Sequence, residues 1–143
     1  MSDLTRIAPG LMAIGIGCRR GATEEAVVGI VEKAIGRAFD ETGQQGRAAL
    51  FTAAAKRNET GLAAAAIRLH MPLVFLPEEA LKAMSDGAVT RSERVVQLFG
   101  VPSIAETAAL AGAGKGARLI VTRIAGDGVT CAIAAHDERD VAS

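Results

Sequence analysis

Residues Leu11 to Ile16 form an apolar run bounded by glycine, and a cappable, striped segment follows it almost at once. That succession constrains the fold more than any other feature of the chain. A short uncharged run suits a strand buried on both faces, as in a parallel sheet. Thr23 has the side chain to cap a helix, and Glu24 and Glu25 place negative charge at its N-terminal dipole. Ala26, Val27, Ile30, Val31, Ala34, Ile35, Ala38 and Phe39 then recur on one helical stripe, with Gly43 as a suitable stop. Strand, glycine turn and helix make the start of a βαβ unit.

The rest of the chain continues the alternation. Ala48 to Ala53 and Pro72 to Leu76 read as strands, separated by an Ala- and Leu-rich helix from about residue 58 to residue 70. Pro77 suits the first turn of a further helix. Ser85 to Glu93 is polar and without apolar period, and reads as a surface loop. Pro102 precedes a helix from Ser103 to about Leu110, and Ala111 to Ala117 reads as a turn. Arg118 to Ile124 and Val129 to Ala134 are β-rich runs joined by Ala125-Gly126-Asp127-Gly128, where Asp-Gly signals a hairpin. From His136 onward the chain is polar and reads as a frayed tail. The expectation is a single domain over residues 1–143, a three-layer α/β fold with a mixed, mostly parallel sheet and a C-terminal β-hairpin.

Composition narrows the partners. Sixteen basic residues cancel sixteen acidic ones, so no global field draws nucleic acid or an anionic membrane. The four aromatics are all Phe, which leaves no Tyr or Trp platform for stacking bases. No uncharged apolar run approaches the roughly 18 residues of a membrane span. Gly17-Cys18 after the apolar stretch from Ile7 resembles a lipoprotein cleavage site. However, Asp3 offsets Arg6, Pro9-Gly10 breaks the run, Arg19-Arg20 follow, and Gly15 stands where such a site wants Leu. Cys18 and Cys131 are far apart and form no CxxC or Cys/His cluster, so no metal site is expected. Free thiols in a cytoplasmic protein without a cofactor are the expectation.

The segment Gly15-Ile16-Gly17-Cys18-Arg19-Arg20-Gly21 falls where the first strand should give way to the first helix. Ligands of open α/β sheets bind at the carboxyl ends of strands. Glycines admit a ligand close to the backbone, and two guanidinium forks suit carboxylate or phosphate. Two arginines at the positive end of a helix are also unfavourable without an anion. The segment is not a dinucleotide fingerprint, because Arg20 stands where the third glycine belongs. Gly112-Ala113-Gly114-Lys115-Gly116 is not a P-loop, because no Ser or Thr follows the lysine. Lys56 and Glu59, if helical, share a face and pair with each other or meet a ligand. Ser103 and Glu106 form Ser-x-x-Glu, a capping box, and a Glu106 turned into a cleft would instead be a candidate general base. Cys18 reads as a packing residue of the loop, since neither His70 nor His136 is spaced as its base. His70 reads as a solvated helix end, and Cys131 as core.

Four segments carry a family resemblance. Gly15 to Gly21 resembles the opening signature of the CobE/CbiG C-terminal family. Lys56-Arg57-Asn58-Glu59-Thr60-Gly61-Leu62 resembles its Lys-x-x-Glu-x-x-Leu segment. Gly100-Val101-Pro102-Ser103-Ile104-Ala105-Glu106 resembles its Gly-Val-Pro-Ser-Val-Ala-Glu segment, with Ile104 for Val. Cys131-Ala132-Ile133-Ala134 is similar to its final strand. The resemblance implies cobalamin biosynthesis, with a corrin or precorrin intermediate as ligand and other corrin-pathway enzymes as possible partners. In longer relatives this domain follows others in a protein that opens a lactone on a cobalt-corrin intermediate. The chain is closest to the short CobE type, for which binding or processing of the intermediate is implied. The candidate ligand-binding set is Gly15, Gly17, Cys18, Arg19, Arg20, Gly21, Lys56, Glu59, Pro102, Ser103 and Glu106. The alternatives are a hydrolase acting on such a lactone and, outside the family, a generic phosphate- or nucleotide-binding module.

Overall fold

A computed structural model describes residues 11–43 and 46–136. The first ten residues and the polar tail beyond His136 lie outside the described residues. Strand β1 (Met12–Cys18) leads into α1 (Glu24–Thr42), then β2 (Ala48–Ala53), α2 (Thr60–Leu69) and β3 (Leu73–Leu76). Helices α3 (Glu78–Lys82), α4 (Glu93–Phe99) and α5 (Ile104–Ala113) follow, and the hairpin β4 (Arg118–Gly126) and β5 (Val129–Ala135) closes the fold. The sheet order is β3-β2-β1-β5-β4. β1, β2 and β3 run parallel, β5 runs against β1, and β4 runs against β5. Every strand but β5 therefore points the same way, which is the mostly parallel mixed sheet expected.

The local signals account for the elements. Thr23 Oγ1 accepts from the Ala26 N–H at 3.1 Å, and Gly43 ends α1 in the left-handed conformation. Asp127 and Gly128 both have positive φ, 53° and 79°, as a two-residue turn needs when it must match the twist of its strands.

The two faces of the sheet are built from different residues, because side chains alternate along a strand. Ile14 and Ile16 of β1, Leu50 of β2 and Cys131 and Ile133 of β5 pack under α1 and α2. Ala13 and Gly15 of β1 and Ala132 and Ala134 of β5 face α5 instead, against Ala105 and Ala109. Small residues on both surfaces let α5 lie very close to the sheet. A Cβ on Gly15 would overlap the Ala105 carbonyl and come within 2.5 Å of the Ala109 nitrogen.

Three expectations change. β1 runs on to Cys18, so Gly15 and Gly17 are buried strand residues and not part of a loop. The surface loop read over Ser85 to Glu93 holds a 3-10 turn (Ser85–Gly87) and gives way at Glu93 to an unread helix, α4, capped by Ser92, whose Oγ accepts from the Val95 N–H at 3.3 Å. His136 is not frayed, since its Nε2 lies 3.0 Å from the Ala113 carbonyl. On the α1 stripe, Val28 is buried, whereas Phe39 is 46% exposed.

Candidate functional site

The parallel strands β1, β2 and β3 all end at one edge of the sheet, and the turns that follow them build the site. After β1 come Arg19, Arg20 and Gly21, all exposed. The Arg19 N–H donates to the Gly128 carbonyl at 2.9 Å, which ties this turn to the tip of the hairpin. The Gly21 N–H donates to Glu59 Oε1 at 2.7 Å, which ties it to the segment after β2. Between hairpin and helix lies an open cleft of about 730 Å³, lined by Arg19, Arg20, Gly21, Thr23, Glu25, Asp127 and Gly128 among others. Neither arginine has an ion-pair partner among the described residues, although Glu25 and Asp127 share the lining.

After β2, a single 3-10 turn (Ala54–Lys56) precedes α2. Of the two readings for Lys56 and Glu59, the mutual pair does not form among the described residues, because Glu59 reaches Gly21 and Lys56 turns to an aromatic ring. Lys56 Nζ sits 5.6 Å from the centre of the Phe99 ring, within cation–π range. Cys18, at the end of β1, is near enough to Lys56 and Glu59 to feel both charges. Burial pushes its thiol up from the ordinary range, with Lys56 opposing and Glu59 reinforcing. Burial that favours the thiol form over the thiolate argues against a nucleophilic Cys18. Cys131 is fully buried, and burial raises its thiol to about 12. His70 is exposed, as expected, and takes the left-handed helix-ending position of α2.

Helix α5 also begins at this edge, since Ile104 lies over Gly17 near the end of β1. Of the residues singled out around it, Ser103 does the work the sequence proposed and Glu106 does not. Gly15 and Gly17 are covered by this helix, so their role is close packing and not ligand approach. Ser103 is buried, and its Oγ accepts from the Glu106 N–H at 3.2 Å, which is the expected cap. The Pro102 carbonyl accepts from the Ser92 N–H at 2.9 Å.

Glu106 is the correction of most consequence. Its side chain is fully buried and does not turn back to Ser103. Oε1 accepts from the N–H groups of Val89 and Thr90 at 2.8 and 2.9 Å, and Oε2 from that of Arg123 at 2.9 Å. A carboxylate enclosed by three backbone donors is neither a reciprocal cap nor an accessible general base. It fastens the loop before α4, the strand β4 and α5 to one another.

The edge therefore gathers Arg19, Arg20, Gly21, Lys56 and Glu59, with Cys18 beneath them. Gly15, Gly17, Ser103 and Glu106 are buried and stand apart from it, whereas Pro102 is half-buried in the turn just before α5. Sequence reasoning missed Phe99, Glu25 and Asp127 as neighbours of the site. For Phe99 the signal was present, since Ser92, Val95, Val96 and Phe99 have the spacing of a capped helix.

Comparison with known proteins agrees with this architecture. Residues 12–134 match the family model described as "Cobalamin synthesis G C-terminus". Protein CobE of a Sinorhizobium species is 34% identical over 133 residues, covering 93% of this chain and 84% of that protein. The crystal structure of CobE, a protein from the cobalamin biosynthetic pathway, superposes with a TM-score of 0.79 at 33% identity, over 89% of this chain and 91% of that one. The cobalamin biosynthesis protein chiG of Agrobacterium tumefaciens str. C58 gives a TM-score of 0.60 at 32% identity, over 88% and 98%. Strand order, hairpin and edge motifs thus meet in one assignment, and the chain belongs to the CobE/CbiG C-terminal family of cobalamin biosynthesis proteins.

Proposed function

We propose that this protein binds an acidic corrin or precorrin intermediate at the carboxyl edge of its sheet. The observation that carries the reading is the pair of exposed arginines, without ion-pair partners among the described residues, on an open cleft. Corrin precursors are flat and carry several carboxylates. Guanidinium forks pair with carboxylates in two parallel hydrogen bonds, and the α1 dipole adds positive potential beside them. The hydrolase alternative needs a nucleophile and a base within reach of each other. Cys18 has a raised thiol pKa and Glu106 is enclosed, so the candidates favour holding or delivering the intermediate over cleaving it. Cytoplasmic residence and contact with neighbouring pathway enzymes complete the proposal.

The test is co-elution of coloured corrin-pathway intermediates with the pure protein, followed by mass analysis of the recovered ligand. Binding with unchanged mass supports a carrier. A hydrolysed product supports the alternative, and no co-elution refutes the proposal.

A further inference from the structure

Phe99 and Lys56 stand together at the same edge, and the geometry that brings them there is specific. Lys56 has no ion-pair partner among the described residues, and its ammonium lies over the Phe99 ring. Phe99 is the last residue of α4, a helix with no fully buried residue. Its position is nonetheless imposed from outside the helix. Glu106 holds the Val89 and Thr90 amides before it, the Ser92 N–H donates to the Pro102 carbonyl, and Gly100 closes it in the left-handed conformation. β1 and β2 are neighbours, and adjacent strands lie about 4.8 Å apart. The turn carrying Lys56 is therefore one strand away from Arg19 and Arg20, and the Gly21–Glu59 hydrogen bond links the two turns directly.

Resting on the site proposed above, we infer that Phe99 is a further ligand-positioning residue: its ring supports the flat face of the macrocycle, and Lys56, held on that ring in the free protein, moves to a ligand carboxylate. A half-buried aromatic ring is a platform for any planar ligand regardless of charge. The ammonium is a compact point charge on a flexible stem, able to leave a weak cation–π contact for a carboxylate. The two residues thus read different properties of one ligand, planarity and charge.

The experiment titrates dicyanocobyrinic acid, whose side chains are carboxylates, and dicyanocobinamide, in which they are amides. The proteins are wild type, Phe99→Leu, Lys56→Met and, as a control on the same helix, Leu98→Ala at a 62% exposed position. Phe99→Leu is expected to weaken every corrin that the wild type binds by about tenfold, with the salt dependence unchanged. Lys56→Met is expected to weaken only the carboxylate form, by several-fold, and to reduce its salt dependence. Leu98→Ala should match wild type, and thermal midpoints check that each variant is folded. Wild-type affinity in a folded Phe99→Leu variant would overturn the inference and leave the arginine site standing. Failure of wild type to bind either corrin would overturn both.

Discussion

Replacing Glu106 by Gln is expected to unfold this protein at a markedly lower temperature, although the change keeps the shape of the side chain. The fully buried carboxylate accepts three backbone hydrogen bonds, two at Oε1 and one at Oε2. An amide has one accepting oxygen. In its better orientation Gln keeps the Val89 and Thr90 bonds and turns its NH2 toward the Arg123 N–H, donor against donor. The cost is a hydrogen bond to a charged group, about 1.5–3 kcal/mol, plus a buried donor left unpaired, about 1–3 kcal/mol. Relaxation of the partly exposed loop keeps the sum on the order of 3 kcal/mol. For a domain of this size that is a fall of about 10 °C in thermal midpoint. Glu106→Ala orphans all three donors and opens a cavity, so it is expected to cost more, on the order of 4–5 kcal/mol. Differential scanning calorimetry gives the midpoint, and hydrogen exchange locates the effect at the Val89, Thr90 and Arg123 amides. A reciprocal capping box would accept Gln with almost no loss. A Glu106→Gln midpoint within about 2 °C of wild type would therefore refute the three-donor account.

Two further outcomes follow from the same geometry. Gly15→Ala is expected to cost several kcal/mol, on the order of 3, because its Cβ would meet the backbone of α5 and not a flexible side chain; urea denaturation measures it, and a loss below about 1 kcal/mol would mean that helix and sheet are not in close contact. Cys18→Ala is expected to retain corrin binding, and in wild type Cys18 should alkylate with iodoacetamide more slowly than glutathione at about pH 8, since its thiol is held protonated by burial; rapid alkylation there would revive the nucleophile.

Much of the fold was legible because its signals are local. Thr23, the α1 stripe and Gly43 lie within one helix, and Asp127-Gly128 sits inside its own turn. The insertion of β5 between β1 and β4 was not legible, since it depends on pairing Ala13 with Ala134 across the whole chain. α4 went unread although Ser92, Val95, Val96 and Phe99 carry its pattern, because in a seven-residue helix that pattern does not repeat. The glycines of β1 misled for a physical reason. Close approach of a ligand and close approach of a helix ask for the same missing side chain, and only the partner surface of Ala105 and Ala109 tells them apart. Glu106 is similar. Ser-x-x-Glu reads the same whether the carboxylate turns back on its cap or out to a neighbouring loop, so only the Ser103 half was predictable. Arg19 and Arg20 lie where the sequence put them, between the first strand and the capping Thr23, because that position is fixed by a local pattern.

The central claim is that the arginine pair recognises the carboxylates of a corrin. Isothermal titration of dicyanocobyrinic acid into wild type and into the Arg19→Ala, Arg20→Ala double variant, each at low and high salt, tests it most directly. Charge-assisted contacts contribute about 1.5–3 kcal/mol each. The account therefore predicts at least tenfold weaker binding in the folded double variant, together with a flatter dependence on salt. Equal affinity and equal salt dependence in the two proteins would contradict it.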